Sequence, residues 1–165
     1  MVGSPGSGKS YLGRTLSTAL DAALIQTDAV RKEMFPEPTY KPGEAAAVYT
    51  ACHQQIAEAL ARGERVVFDG TNLSERRRKT LYTLADQAGA TLIVVVAYAS
   101  EAVIRERLRQ RAEGRDPDDQ SDADWPVYLR MRGNAEPVLR PHLIVNTAVS
   151  AAPVVRLLRH QLTAR

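Results

Sequence analysis

Strand and helix signals alternate along this chain of 165 residues, which predicts an α/β fold with a mostly parallel sheet between two helical layers. Two patterns carry the expectation. Thr91 to Ala99 is a continuous, β-branched apolar run, as suits a strand covered on both faces. Leu12, Leu16 and Leu20 recur every four residues, the stripe of a helix with one buried side.

The elements follow in order. Only Met1 and Val2 precede the glycine-rich stretch that opens at Gly3, so the first strand is expected as a truncated stub. Ala23 to Gln26 is a short apolar run read as a strand, with a short helix Ala29 to Met34 after it. Gly43 to Arg62 carries Val48, Cys52, Ile56 and Leu60 on one helical face and is closed by Gly63. Val66, Val67 and Phe68 make Arg65 to Asp69 a buried strand, and a helix from Ser74 to Gln87 ends at Gly89. Helix Glu101 to Arg111 follows the Thr91 to Ala99 strand, and another helix starts near Asp122 or Asp124. Leu143 to Asn146 is the last strand and Pro153 to Leu162 the last helix.

Length and composition fit one domain, 1–165, with a small helical lid over about 112–124. The 44% hydrophobic and 25% charged residues describe a soluble globule, and Leu92 to Ala99 is too short to cross a bilayer. Cys52 is the sole cysteine and excludes an internal disulfide. With no secretory signal pattern, the expected compartment is the cytoplasm. A net charge of +3 is too mild to mark a nucleic-acid binder. None of His53, His142 and His160 has a partner at metal-ligand spacing, so these read as structural.

Gly3-Ser4-Pro5-Gly6-Ser7-Gly8-Lys9-Ser10 matches G-x-x-x-x-G-K-[ST] in full. Glycines let backbone N–H groups converge on phosphates, and the following helix, from Tyr11 onward, adds its N-terminal partial positive charge. Lys9 can bridge β- and γ-phosphates and the Ser10 hydroxyl can ligate Mg²⁺, so ATP with Mg²⁺ is the expected cofactor pair. The fold class becomes a P-loop three-layer α/β/α sandwich. Gly70 follows Asp69 where motor and switch ATPases commonly hold a water-orienting glutamate. No guanine-reading Asn-Lys-x-Asp run is present. A short chain, a lid-like basic segment and no water-activating residue favour transfer to an acceptor hydroxyl.

Asp28, just past a strand at the carboxyl edge of the sheet, is the candidate base, or else caps the helix that follows. Arg31, a turn further, either holds an acidic acceptor group or pairs with Asp28 or Glu33. Asp69, Thr71 and Asn72 gather at the same edge, where Asp69 reaches the metal through water or orients Arg31 or the acceptor; the bland alternative is a loop whose Ser74 caps the next helix. Arg76 to Lys79 reads first as a solvated face. Arg107 and Arg111, one turn apart, look like the cations of a lid over the phosphates, with Asp116 to Asp124 solvating and capping; the alternative is an exposed helix with pairs such as Glu106 with Arg109 or Gln110. Trp125 and Tyr128 are expected to pack the lid helix.

The phosphate loop, Thr27-Asp28-Ala-Val-Arg31, Asp69-Gly-Thr-Asn72-Leu-Ser-Glu-Arg76-Arg77 and the later arginine pair together resemble the polynucleotide kinase branch of P-loop kinases. The chain is also similar to zeta-toxin-like bacterial ATP-binding domains of that branch, some of them fused to aminoglycoside-phosphotransferase-like domains. The resemblance runs from Gly3 to about Thr147, and departs from the pattern at the short first strand and at Gly70. It implies Lys9 and Ser10 on the triphosphate and metal, and Asp28 as base. It also implies Arg31 and Asp69 near the acceptor, Arg111 over the transferred phosphate, and the loop after Asn146 beside the adenine. The expected acceptor is therefore a polynucleotide 5′-hydroxyl; a small hydroxylated molecule such as a sugar acid, nucleoside or antibiotic is the alternative, and a non-catalytic ATP-binding module is a third reading.

Overall fold

The computed structural model describes residues 1–114 and 121–163. Among these, helices α1 (Lys9–Leu20), α2 (Thr27–Met34), α3 (Pro42–Ala61), α4 (Glu75–Gln87), α5 (Glu101–Ala112), α6 (Trp125–Gly133) and α7 (Ala152–Thr163) alternate with strands. The strands are β1 (Ala22–Gln26), β2 (Arg65–Asp69), β3 (Val94–Tyr98) and β4 (His142–Asn146). Part of the expected lid, with the carboxylates Asp116 to Asp119, lies outside the described residues.

All strand pairs are parallel. β1 lies beside β2 with Ala22 opposite Arg65, and β3 beside β4 with Val94 opposite His142. The two halves meet through the stub. Val2 donates its N–H to the Val95 carbonyl and accepts from Ala97 N–H, both at 2.8 Å, in a parallel bridge to Val96. On the other side, the Met1 amino group donates to the Phe68 carbonyl at 2.9 Å, and Gly3 N–H donates to Thr71 at 3.1 Å. The spatial order is therefore β1–β2–stub–β3–β4.

Period-two alternation distributes the side chains to two helical layers. Val67, Val95, Ala97, Leu143 and Val145 face Leu12, Leu16, Val154 and Leu158 of α1 and α7. Ile25, Val66 and Phe68 face Val48, Cys52 and Ile56 of α3, with Leu81 and Leu84 of α4 beside them. Tyr82 of α4 packs on Val2 and Val94. This is the three-layer α/β/α sandwich that the sequence predicts.

Three expectations shift. The Thr91 to Ala99 strand shortens to Val94–Tyr98, because β4 begins opposite Val94 and the stub reaches only Val95. The helix expected from Ala29 begins at Thr27, with Gln26 in the N-cap position; Asp28 is inside the first turn rather than a cap, where a carboxylate complements the helix dipole. The basic run Arg76 to Lys79 is only partly a solvated face. Arg78 is 1% exposed and donates to the carbonyls of Asn72, Leu73, Glu136 and Pro137 and to the Glu75 carboxylate. Arg77 lies over the Tyr49 ring, 4.2 Å from its centroid. Ser74 does cap α4, through Arg77 N–H.

Two consequences for stability follow. A lysine at position 78 presents three donors on a compact ammonium where a planar fork now serves five acceptors, so Arg78→Lys should cost about 2–4 kcal/mol by denaturant titration. The buried Met1 ammonium has its pKa lowered to about 6, chiefly by desolvation, with Lys9 adding to the effect and Asp69 opposing it. Its contribution to stability is full above pH 8, the unfolded value, and is lost as pH falls through 6. Stability should thus rise by about 2 kcal/mol from pH 6 to 8. Burial lowers the His53 pKa as well, in the same sense, so the comparison is with the N-acetylated chain, which should lose most of that slope.

Candidate active site

The loop between the stub and α1 is shaped by two glycines. Gly6 and Gly8 have φ of +74° and +81°, and a Cβ on Gly8 would stand 2.6 Å from the Thr147 hydroxyl. Gly8 occupies the N-cap position of α1, leaving the first-turn amides of Lys9, Ser10 and Tyr11 without intrahelical acceptors. Those amides, the helix dipole and the Lys9 ammonium point to an anion.

A cleft of about 540 Å³ opens on this loop, lined by Gly6, Gly8, Lys9, Ser10 and Tyr11 together with Arg14, Arg107 and Arg111, and by Thr147 to Ser150 beyond β4. Ser4, Pro5 and Ser7 shape the loop without lining the cleft; Ser7 is 1% exposed and its hydroxyl has no partner. Arg107 is more than a cation over the cleft. Its guanidinium donates to the Gly6 carbonyl at 3.3 Å, the Thr147 hydroxyl at 2.9 Å and the Thr147 carbonyl at 2.8 Å, and desolvation lowers its pKa. The Thr147 hydroxyl in turn donates to Ser7 O at 2.5 Å. One side chain thus ties α5, the phosphate loop and the β4 exit together. Arg111 lines the same cleft and donates to Ala123 O at 3.0 Å. Glu106 of α5 pairs with Arg109 and Gln110, the pairs named in the alternative to a lid. Tyr128 packs on Ile104 and Leu108, with Trp125 stacked on it at 4.9 Å.

A second, smaller recess adjoins the loop. Lys9, Ser10, Arg14, Gln26, Thr27, Asp28, Asp69 and Ser121 border it. The topology explains the convergence: β1 and β2 end side by side, Gln26 opposite Asp69, so the residues leaving both strands meet the N-terminus of α1. Asp69 is 4% exposed; one carboxylate oxygen accepts from Gln26 at 3.0 Å and the other is buried without a partner. A Cβ on Gly70 would meet Thr27 at 3.0 Å, so the position after Asp69 has little room for a glutamate. A divalent cation fits this donor set: the Ser10 hydroxyl would ligate it, the orphaned Asp69 oxygen would hold a ligating water, and further ligands would come from a bound nucleotide.

Two expected acceptor contacts are placed elsewhere. Arg31 does not border the recess. Its guanidinium is ion-paired with Glu44 and lies 4.9 Å from the Tyr40 ring centroid. Burial alone would raise the Glu44 pKa, but hydrogen bonds from Thr39 and Arg31 outweigh it and hold the carboxyl below its ordinary range, so the Arg31 charge is already compensated. Asn72 is 1% exposed, with φ +47°, and its amide donates to the Met1 carbonyl at 2.8 Å: it anchors the stub. Thr71 uses its carbonyl for Gly3 N–H. Arg14 and Thr147 are cleft residues that were not singled out from the sequence. Arg14 could have been found, one helical turn beyond Ser10; Thr147 depends on the sheet edge.

The loop, the parallel sheet and the cleft at its carboxyl edge define a kinase-like P-loop domain. Residues 1–138 match the AAA_33 family, an AAA domain, and the chain belongs to that family. An uncharacterized protein of Mycobacterium tuberculosis (strain ATCC 25618 / H37Rv) is 28% identical over 124 residues, 68% of this chain and 25% of that protein. A shikimate kinase of Rhodococcus jostii (strain RHA1) is 40% identical over 88 residues, 49% of this chain and 51% of its own. The chain thus spans a quarter of the length of the first relative and about half of the second. In fold it is similar to the crystal structure of a putative kinase from Chloroflexus aurantiacus, with a TM-score of 0.76, 22% identity and 96% and 95% of the two chains covered. It is likewise similar to the Mycobacterium tuberculosis APS kinase CysC in complex with AMPPNP and APS, with a TM-score of 0.73, 13% identity and 98% and 94% covered.

Removing the Arg107 staple should loosen the loop. For Arg107→Ala we expect affinity for ATP, measured by calorimetry, to fall about 10- to 100-fold, and Thr147→Val to lose less. Equal affinities in the variants and the parent would show that the loop holds its shape without them.

Proposed function

We propose that this domain transfers the γ-phosphate of ATP to a hydroxyl of a small polar acceptor, with Mg²⁺. The supporting observation is the recess where Lys9, Ser10, Asp28 and Asp69 converge beside the phosphate loop. ATP is the natural donor for this loop, and the similar APS kinase structure holds AMPPNP. In this reading Lys9 and the α1 amides take the β- and γ-phosphates, with Arg111 at the cleft mouth as a lid cation. The metal neutralises developing phosphate charge when bound. Asp28 orients the acceptor hydroxyl and receives its proton as the O–P bond forms and ADP leaves. Asp69, held by Gln26, positions the Ser10 side of the site.

A small acceptor is favoured over a polynucleotide end for a physical reason. Arg77 and Arg78, which would track a nucleic-acid backbone, are spent on Tyr49 and on backbone carbonyls. The shikimate kinase relative points in the same direction. Arg31 contributes by holding Glu44 and the α2–α3 connection in place.

The test is a transfer assay with γ-labelled ATP and Mg²⁺, offering 5′-hydroxyl oligonucleotides in one arm and a panel of small polyols and hydroxy acids in the other. Label on a small alcohol is expected; label on the oligonucleotide alone would reverse the acceptor class, and ATP binding without transfer would leave a nucleotide-sensing module. With the labelled acceptor, Asp28→Asn should lose about 10²- to 10⁴-fold in kcat and spare ATP affinity, while Lys9→Ala should abolish transfer. An Asp28→Asn enzyme turning over at the parent rate removes Asp28 from the role of base.

A further inference from the structure

The recess assigned above to the acceptor is small. It encloses about 10 Å³, room for roughly one water molecule and far less than an alcohol of even a few carbons needs. Much of its border is fixed by the core: Lys9 and Ser10 stand on α1, Gln26 ends β1, Asp28 lies in the first turn of α2 and Asp69 ends β2. Among the described residues, Ser121 borders it from outside the helices and strands. That is the side that can yield at least cost when the recess enlarges.

Ser121 is held through its neighbours. Tyr40 donates its hydroxyl to the Asp122 carboxylate, Lys32 stands 3.8 Å from the same carboxylate, and Arg111 of the nucleotide cleft donates to the Ala123 carbonyl at 3.0 Å. The position of Tyr40 is itself over-determined. Its φ is +57°, which a bulky residue adopts only where its surroundings impose it. The Glu44 carboxylate imposes it here, accepting from Thr39 N–H at 2.7 Å, the Thr39 hydroxyl at 2.9 Å and Tyr40 N–H at 3.1 Å, while its other oxygen is paired with Arg31. The Tyr40 ring lies over that same Arg31. Desolvation, the bond to Asp122 and the charges of Asp122 and Asp28 raise the phenol pKa against the opposing effect of Arg31, so the hydroxyl stays a donor. The charge of Asp28 acting on this phenol puts Tyr40 on the acceptor side of the site.

We propose that Tyr40 is a specificity-determining residue for the acceptor. Through Asp122 its hydroxyl holds Ser121 against the recess, and the size of the alcohol admitted is set by how far that contact yields. Alcohols and hydroxy acids of a few carbons enter with the least displacement, whereas bulky ones require the phenol–carboxylate bond to break. Tyr40 acts through Asp122 and touches no reacting atom, so it positions a wall and takes no part in proton transfer. This role rests on the transfer reaction proposed above and names what limits the size of its acceptor.

Two measurements on the full chain test it. In the first, Ser121→Cys is introduced alone and together with Tyr40→Phe, and its modification by a small thiol reagent is timed; Cys52 is buried and stays silent. Tyr40→Phe keeps the ring over Arg31 and removes only the hydroxyl, so modification should quicken at least about 10-fold. Equal rates overturn the proposal. In the second, γ-labelled ATP and Mg²⁺ are offered with three-carbon and six-carbon polyols. The ratio of kcat/KM for the longer over the shorter should rise about 10-fold or more in Tyr40→Phe and in Asp122→Ala, with ATP affinity by calorimetry within about twofold of the parent. An unchanged ratio, or a fall in ATP affinity as large as the change in acceptor kcat/KM, would also overturn it. If even the parent transfers no label to an alcohol, the kinase reading fails and the thiol rates decide: a quickened rate upholds the Tyr40 contact and an equal one removes it.

Discussion

Two hydrogen bonds made by Val2 hold the architecture in register. They fix the stub against β3, while the Met1 nitrogen fixes it against β2, and the phosphate loop begins at the next residue. The loop therefore inherits its position from a single bridging residue instead of from a long strand. The surroundings compensate at several points. Asn72 ties down the Met1 carbonyl, Thr71 accepts from Gly3, and Arg107 with Thr147 clasps the loop from the far side. Polar side chains do locally what ladder bonds do elsewhere in the sheet.

Electrostatically the site is arranged as two compartments sharing Lys9, Ser10 and Arg14. The larger collects arginines, and the smaller collects Asp28 and Asp69. A polyphosphate in the first and a hydroxyl in the second would bring donor and acceptor together at the ammonium of Lys9, where negative charge builds during transfer. The surroundings of the two carboxylates differ: Asp69 is buried and bound to Gln26, while half-buried Asp28 lies in the first turn of α2.

Much of this was legible in the residues themselves. The phosphate loop is an eight-residue pattern with a strict steric meaning, and the leucine stripe of α1 and the β-branched β3 run follow from period alone. Arg78 shows where the reading stopped. In sequence it is one of four consecutive cations, and nothing local distinguishes the one that turns inward to five oxygens from its neighbours. Arg31 was similarly opaque, because its partner Glu44 is thirteen residues away on another helix. Asn72 looked like an acceptor contact because it sits at the correct edge, yet its partner is the first carbonyl of the chain. Long-range satisfaction of buried polar groups has no periodicity to read, so such roles emerge only once the elements are packed.

Tyr40 joins parts of the molecule that are far apart in sequence. Its ring covers Arg31, and its hydroxyl donates to Asp122, which also lies 3.8 Å from Lys32 and belongs to the segment leading into α6. The α2–α3 connection and the chain returning from the nucleotide side are thereby fastened at one phenol. Release of Asp122 would let the Tyr40 ring leave the Arg31 guanidinium, which keeps its ion pair with Glu44. The α2–α3 connection and the segment ahead of α6 are thus coupled through side chains and not through the sheet beneath them.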